Sequence, residues 1–168
     1  MVSNPRSCIP LIRFVNDLKK SGLFIIGHVK IGNLDNYEVD PILNEYPLWL
    51  KLFDMLAVKA FFEVTLASTV REGFYHLIRI TGLGAMKPNT IFFGFYDEEA
   101  QIDFFQTDPS YSLIKNSFLN ENEFLTLRDK EQRNISLQDY VSFIHETIFK
   151  FKKNICIGRY FNSFNRVC

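Results

Sequence analysis

Apolar residues along the chain recur with two periods, and the alternation between those periods sets an expected order of elements. Leu11, Phe14, Val15 and Leu18 follow the three-four spacing of one helix face, and Lys19-Lys20-Ser21-Gly22 supplies a basic last turn and a glycine stop. Residues 23–29, LFIIGHV, form a nearly unbroken apolar run of strand length, which suits a strand covered on both faces. A polar, turn-rich stretch, KIGNLDNYEVDP, follows. Pro47 fits a first helical position, with Trp49, Leu52, Phe53 and Leu56 continuing at helical spacing. Residues 60–67, AFFEVTLA, are rich in aromatic and β-branched types and predict a second strand. Thr69 and Glu72 then have the spacing of a capping box for a helix that carries Val70, Phe74, Leu77 and Ile78 on one face. Gly82 stops that helix, and TIFFGFY, residues 90–96, predicts a third strand. Further on, Ser136 caps a helix with Asp139 three positions later, and Val141, Ile144, Ile148 and Phe151 give it an apolar face. NICIGRYF, residues 154–161, predicts a fourth strand.

Strands alternating with helices across short corners are the mark of parallel βαβ units. The expected fold is therefore α/β: an open, mainly parallel sheet with helices on both faces, in one domain spanning residues 1–168. Between Asp97 and Asn134 the periodicity dissolves. Nine acidic residues stand there against four basic ones, so 97–134 reads as an acidic surface insertion.

Charge narrows the functional classes. Lys+Arg and Asp+Glu both total 19, which withholds the electrostatic driving force of a general nucleic-acid binder. The 18 Phe and 7 Tyr exceed the ordinary needs of a small core, so some rings are expected to cover a partner. Cys8, Cys156 and Cys168 are too few and too scattered for a disulfide framework or a zinc site, which points to a reducing compartment. The opening residues hold no apolar run of the kind a secretory signal needs, so the Asn134-Ile135-Ser136 sequon reads as accidental. No window offers 18 consecutive apolar residues.

Two stretches invite a ligand. TGLGAMKPNT, residues 81–90, has the composition of a phosphate loop, but only Leu83 separates Gly82 from Gly84 and Pro88 lacks an amide, so the spacing of a P-loop fails. Because it leaves a helix and enters a strand, it belongs to the amino edge of the sheet, where it serves as a corner. Small molecules bind open α/β sheets at the opposite edge. There the candidates are Gly27 and His28 at the end of the first strand and Ser68 and Thr69 at a helix start, whose amides would face an anion such as the phosphates of ATP or another adenine nucleotide. The alternative is that both hydroxyls cap the helix and that His28 is a hydrogen-bonded core histidine. His28, His76 and His145 fall on different elements with no second ligand at metal spacing, and no nucleophile has an activating partner, so neither a metal site nor an enzyme is expected. Glu63, in an otherwise apolar strand, reads as an edge residue or ion-pair partner.

With these motifs placed, GLFIIGHVKIGNLD, the run from AVKAFFEV through VREG and GLGAMKPNT to GFYD, and ISLQDYVSFIHETIFKFKKNICIGRYF together resemble the C-terminal domain of cation-chloride cotransporters, solute carrier family 12. The cotransporter-interacting-protein branch of that family is the most similar. The resemblance implies a regulatory and assembly domain, soluble itself, on the cytosolic face of a multi-pass transporter for electroneutral salt movement, with a fold like that of universal stress proteins. It also implies the membrane domain of the same transporter as a partner, a homodimer or a hetero-oligomer with related cotransporters, and in some relatives a bound nucleotide. The alternative is a free-standing nucleotide-sensing domain of universal-stress type. Arg71, Glu72, Lys87 and the aromatic residues of 97–134 are the surface features expected to matter. The second half that usually follows in the family has no counterpart before Cys168.

Overall fold

The computed structural model describes residues 1–96, 102–118 and 135–159. Helix α1 (Pro5–Leu18) begins earlier than the apolar spacing predicts, because Asn4 accepts from the Arg6 amide and Pro5 takes the first helical position. Strand β1 (Ile25–Ile31) leads through a short 3-10 turn at Leu34–Asn36 to helix α2 (Pro41–Met55). Asp40 caps α2, so Pro47 lies inside the helix rather than at its start. The hydrogen bond Pro47 cannot make is the one to the carbonyl of Leu43, whose side chain is exposed, so the orphaned oxygen lies on the solvent side. The opposite side of α2 buries Trp49, Leu52 and Phe53, and that packing holds the helix through its proline.

Strand β2 (Phe61–Ala67) pairs parallel with β1 from Ile25↔Phe61 to Ile31↔Ala67. Helix α3 (Val70–Ile80) follows, then strand β3 (Thr90–Gly94). Two short helices, α4 (Phe104–Thr107) and α5 (Ser112–Ser117), precede helix α6 (Leu137–Phe149) and strand β4 (Asn154–Gly158), which pairs parallel with β3 from Thr90↔Asn154 to Gly94↔Gly158. The α/β class and the parallel pairing are as expected. Among the described residues, however, the strands form two separate parallel pairs, β1·β2 and β3·β4, rather than one continuous ladder.

Residues 1 and 2 lie between the pairs. The Val2 amide donates to the Gly27 carbonyl of β1 at 2.9 Å, and the Met1 amino group donates to the Phe92 carbonyl of β3 at 2.9 Å.

Alternation along β1 distributes the layers. Ile26 joins Ile9 and Ile12 of α1 and Trp49, Leu52 and Phe53 of α2 in the larger core, where Phe62 of β2 stacks on Trp49 at 4.9 Å between ring centroids. Val29 packs with Ala67 and Leu77 on the other face, beneath α3. A second aromatic cluster binds α3 to β3 and α6: Phe74 lies 4.9 Å from Phe143 and 5.6 Å from Phe93. Each such buried phenyl ring contributes about 2–3 kcal/mol by leaving water.

Of the segment expected as an acidic surface insertion, only 102–118 is described, and there the chain is tied into the core. Phe105, Tyr111, Ile114 and Phe118 are buried against Ile9, Ile12 and Trp49. Asp103 caps α4 and pairs with Arg6, whose Nε donates to its Oδ1 at 2.9 Å, while Arg13 donates to the Tyr111 hydroxyl at 2.9 Å. The aromatic spacing here is too irregular to show a helix face, which is why these residues carry no periodic signal. Residues 97–101 and 119–134 lie outside the described set, as do 160 and 161 of the expected fourth strand.

Candidate functional site

The four residues singled out for a nucleotide occupy two places. β1 continues to Ile31, so Gly27 and His28 are mid-strand, opposite Glu63 and Val64, instead of at the carboxyl end. As neighbours in a strand they also point to opposite faces. Gly27 lies under α3, where an added Cβ would stand 3.2 Å from Leu77 Cδ1. His28 is 6% exposed, its ring 5.2 Å from that of Trp49, and its Nδ1 donates to the Val2 carbonyl at 2.9 Å. It is a core histidine that tethers the N-terminal residues.

Ser68 and Thr69 do lie at a helix start beyond the end of β2, next to Gly32, whose amide donates to the Ala67 carbonyl at 3.0 Å. Their polar groups face a carboxylate of the chain itself. The Thr69 hydroxyl accepts from the Glu72 amide at 3.1 Å, and Glu72 Oε2 accepts from the Ser68 amide at 3.2 Å and from the Ser68 hydroxyl. Thr69 caps α3 as the spacing predicts, but Glu72 reaches back to Ser68 instead of to the Thr69 amide of a reciprocal capping box, and its carboxylate sits where an external anion would. The bonds from the Ser68 hydroxyl and then its amide hold Glu72 below the usual carboxylate range.

The glycine-rich corner takes its shape from two backbone bonds. Leu83 and Met86 exchange amide-carbonyl pairs at 2.9 Å each, and Gly82 and Gly84 adopt φ values of +140° and +56°. Lys87 donates to the Ile80 carbonyl at 3.3 Å and so caps the end of α3. Thr81 and residues 88–90 of the corner line a cavity together with the amino half of β1, far along the chain direction from Ser68. The corner thus sits at the amino edge, as its direction of travel requires.

The periodicity of α6 misplaces most of its buried face, although Phe151, just past the helix end, does pack against Phe74 and Tyr75. Phe143, Glu146 and Thr147 are buried, whereas Leu137, Val141, Ile148 and Phe149 are 57%, 56%, 42% and 59% exposed. Glu146 explains the rotation. Arg71 Nη2 donates to its Oε1 at 2.9 Å, Lys150 donates to the same oxygen at 2.7 Å, and the Tyr75 hydroxyl donates to Oε2. These bonds, Lys150 first and then Tyr75, pull the Glu146 carboxyl down to about 2. Arg71 also reaches Asp139 at 3.8 Å and donates to the Tyr75 hydroxyl at 2.6 Å. A charged cluster therefore staples α6 to α3 and turns Leu137, Val141 and Ile148 outward, with Ile144 half-buried between them. Arg71 is legible in the sequence as a candidate; its partner Glu146 is not, since 75 positions separate them. Among the described residues no group of His, Cys, Asp and Glu is arranged to hold a metal ion, and no helix is long and apolar enough to cross a membrane.

A family model described as Solute carrier family 12 matches residues 9–138. Solute carrier family 12 member 9 of Danio rerio is 48% identical over 171 residues, which cover 96% of this chain and 19% of that protein. The Homo sapiens protein of the same description is 42% identical over 166 residues, with 95% and 18% covered. Vacuolar cation-chloride cotransporter 1 of Saccharomyces cerevisiae is 39% identical over 99 residues, 59% of this chain and 9% of that protein. The chain spans less than a fifth of the length of these relatives, at 19%, 18% and 9%.

Proposed function

The chain belongs to solute carrier family 12, and we propose that it serves there as a regulatory and assembly domain on the cytosolic face of a cation-chloride cotransporter-like membrane protein. It acts through surfaces and carries no transport chemistry of its own. The observation that carries this reading is the outer face of α6. Leu137, Val141, Ile144 and Ile148 are spaced four, three and four apart, the spacing of a two-helix seam, and the first, second and last of them are exposed. The inner face of the same helix is held by Phe143 and Glu146, so the seam is presented on a fixed support. A second copy of the domain is the partner that such a self-complementary stripe fits.

Action through contacts is favoured over nucleotide sensing because Glu72 already engages the Ser68 amide and hydroxyl, and an incoming phosphate would have to displace that carboxylate. Sedimentation equilibrium across concentration tests the reading. The wild-type domain is expected to dimerise, and Val141→Glu or Ile148→Glu is expected to weaken the dimer at least tenfold with the far-UV spectrum unchanged. A wild-type monomer at every concentration, or a dimer indifferent to both changes, would overturn it.

A further inference from the structure

We propose that the edge of the fold formed by its helix-to-strand corners docks on an anionic phospholipid bilayer. The glycine-rich corner at 81–90 is the apolar tip that enters the headgroup layer, and lysines of the neighbouring corners are its anchors on the lipid phosphates. This rests on the reading above only for a membrane's being near, and it holds whether or not α6 forms a dimer seam.

Topology gathers the charge. Corners that run from a helix into a parallel strand fall at the amino edge of a sheet. Leu18 and Lys19 of the α1–β1 corner, Thr81 and Pro88 of the α3–β3 corner and Lys153 of the α6–β4 corner line one cavity, which sets those corners side by side. The α2–β2 corner joins them, since the Lys59 amide donates to the Asn16 side chain at 3.0 Å. Residues 18–24, 56–60, 80–89 and 150–153 hold Lys19, Lys20, Lys59, Lys87, Lys152 and Lys153, besides Lys150, and no Asp or Glu. The strand-to-helix corner at 32–40 has Asp35, Glu38 and Asp40 and no Lys or Arg. A chain without net charge is thus polarised along its strands, basic at one end and acidic at the other.

These lysines keep their charge available. Lys150 pairs with Glu146, but none of the others is ion-paired with a described carboxylate. Lys87 and Lys153 donate to the carbonyls of Ile80 and Pro88, bonds that fix the amines without neutralising them. Burial and then the charge of Lys59 hold Lys19 below the usual lysine value, the mark of like charges crowded together. Asp17 and Asp54 stand a turn back on α1 and α2, so the bias is most one-sided around α3 and α6. There Arg79 lies over the Phe151 ring at 5.8 Å, between Lys87 and Lys152 in the adjoining corners. Attraction to a charged bilayer fades within a Debye length, so only cations collected on one edge act together.

Charge alone would suit any acidic partner; the corner among the lysines selects a bilayer. Leu83 and Met86 at its tip are 48% and 59% exposed, and Ile80 at the end of α3 is 64% exposed. Nothing lies within 4 Å of where a Cβ on Gly84 would stand, so the tip projects clear of the fold. Leu83 and Met86 satisfy each other's amides and carbonyls, which lets the tip carry its apolar side chains among lipids without stranding those backbone groups. Flanking lysines then lay their stems along the interface and their amines on the phosphates.

Co-sedimentation with vesicles tests the proposal. The chain is expected to bind vesicles of about one phosphatidylserine to two phosphatidylcholines roughly tenfold or more tighter than phosphatidylcholine alone, and to be released by about 0.5 M salt. Lys87→Gln combined with Lys152→Asn, a residue that tolerates the φ of +54° at that position, should weaken this binding about tenfold. Leu83→Gln combined with Met86→Gln should weaken it about threefold or more while leaving any binding to polyglutamate unchanged. In the unsubstituted chain the anionic vesicles should slow hydrogen exchange at residues 83–87 and not at 33–40. Equal binding to both kinds of vesicle, indifference to both double changes, or exchange at 83–87 unaltered by lipid would each overturn the proposal. So would binding to polyglutamate as tight as to the anionic vesicles, which would assign the edge to an acidic polypeptide instead. Sedimentation equilibrium without lipid reads the α6 seam separately.

Discussion

Gly73 of α3 and Val29 of β1 approach so closely that a Cβ built on the glycine would stand 2.4 Å from Val29 Cγ1 and 2.8 Å from Cγ2. The absence of a side chain at this point lets α3 lie down on the β1·β2 pair, and Leu77, one turn further on, packs there with Val29 and Ala67. Gly73→Ala is therefore expected to destabilise the fold by about 1–3 kcal/mol through overpacking, despite the better helix propensity of alanine. Urea midpoints measure this. If the cause is the contact with Val29, the double change with Val29→Ala should cost less than the two single changes summed.

The Met1 amino group makes stability depend on pH near neutrality. Burial lowers it from 8.0 to about 6, so between those values the unfolded chain holds a proton that the folded chain lacks. Stability then rises with pH from about 6 to 8 and levels off on either side, by an amount on the order of 2–3 kcal/mol in all. Denaturation of the chain with a free amino terminus at pH 5.5, 7 and 8.5 reads the slope, and N-acetylation should remove most of it.

Glu146 acts in the acid range and with the opposite origin. Its carboxyl is drawn from 4.5 to about 2 by its bonds to Lys150, Tyr75 and Arg71, so the stability it confers is complete above its unfolded value and is lost as pH falls from there toward 2. Glu146→Gln should cost about 1–3 kcal/mol near pH 7, and the gap to wild type should begin to narrow below about pH 4.5 and close only toward pH 2. A gap that stays constant over that range would show that packing, not ionisation, is what the substitution disturbs. Released from α3, α6 should also lose amide protection around Phe143.

The corner glycines differ in what they demand. Gly82 has φ +140° and an added Cβ would meet the Met86 carbonyl at 2.6 Å, whereas Gly84 has φ +56° with open space around it. Gly84→Asn should be nearly neutral, since asparagine tolerates the left-handed region, while Gly82→Asn should cost about 1–3 kcal/mol. Thermal melts of the two variants check the ranking.

Local sequence was enough to reveal the four strands and the longer helices, but not the short α4 and α5. β2 and α3 appear within a residue or two of their predicted bounds, because a strand-length apolar run and a capping box are short-range signals that need no partner. Family membership was legible in the same way, from VREG in the first turn of α3 and GLGAMKPNT just beyond its end. Tertiary structure decided three other matters. α2 runs through Pro47 because Trp49 and Leu52 are buried by α1 and the strands, a gain that local propensity does not contain. α6 presents Val141 and Ile148 outward because Glu146 meets Arg71 and Tyr75, and two faces of one apolar helix cannot be ranked before its neighbour is known. The cavity beside Met1 exists only as a relation between the amino halves of β1 and β3, whose Gly27 and Phe92 stand 65 positions apart in the sequence. Hydrophobic period tells what each segment will be; which side of it meets which neighbour depends on contacts the chain makes only once it has closed on itself.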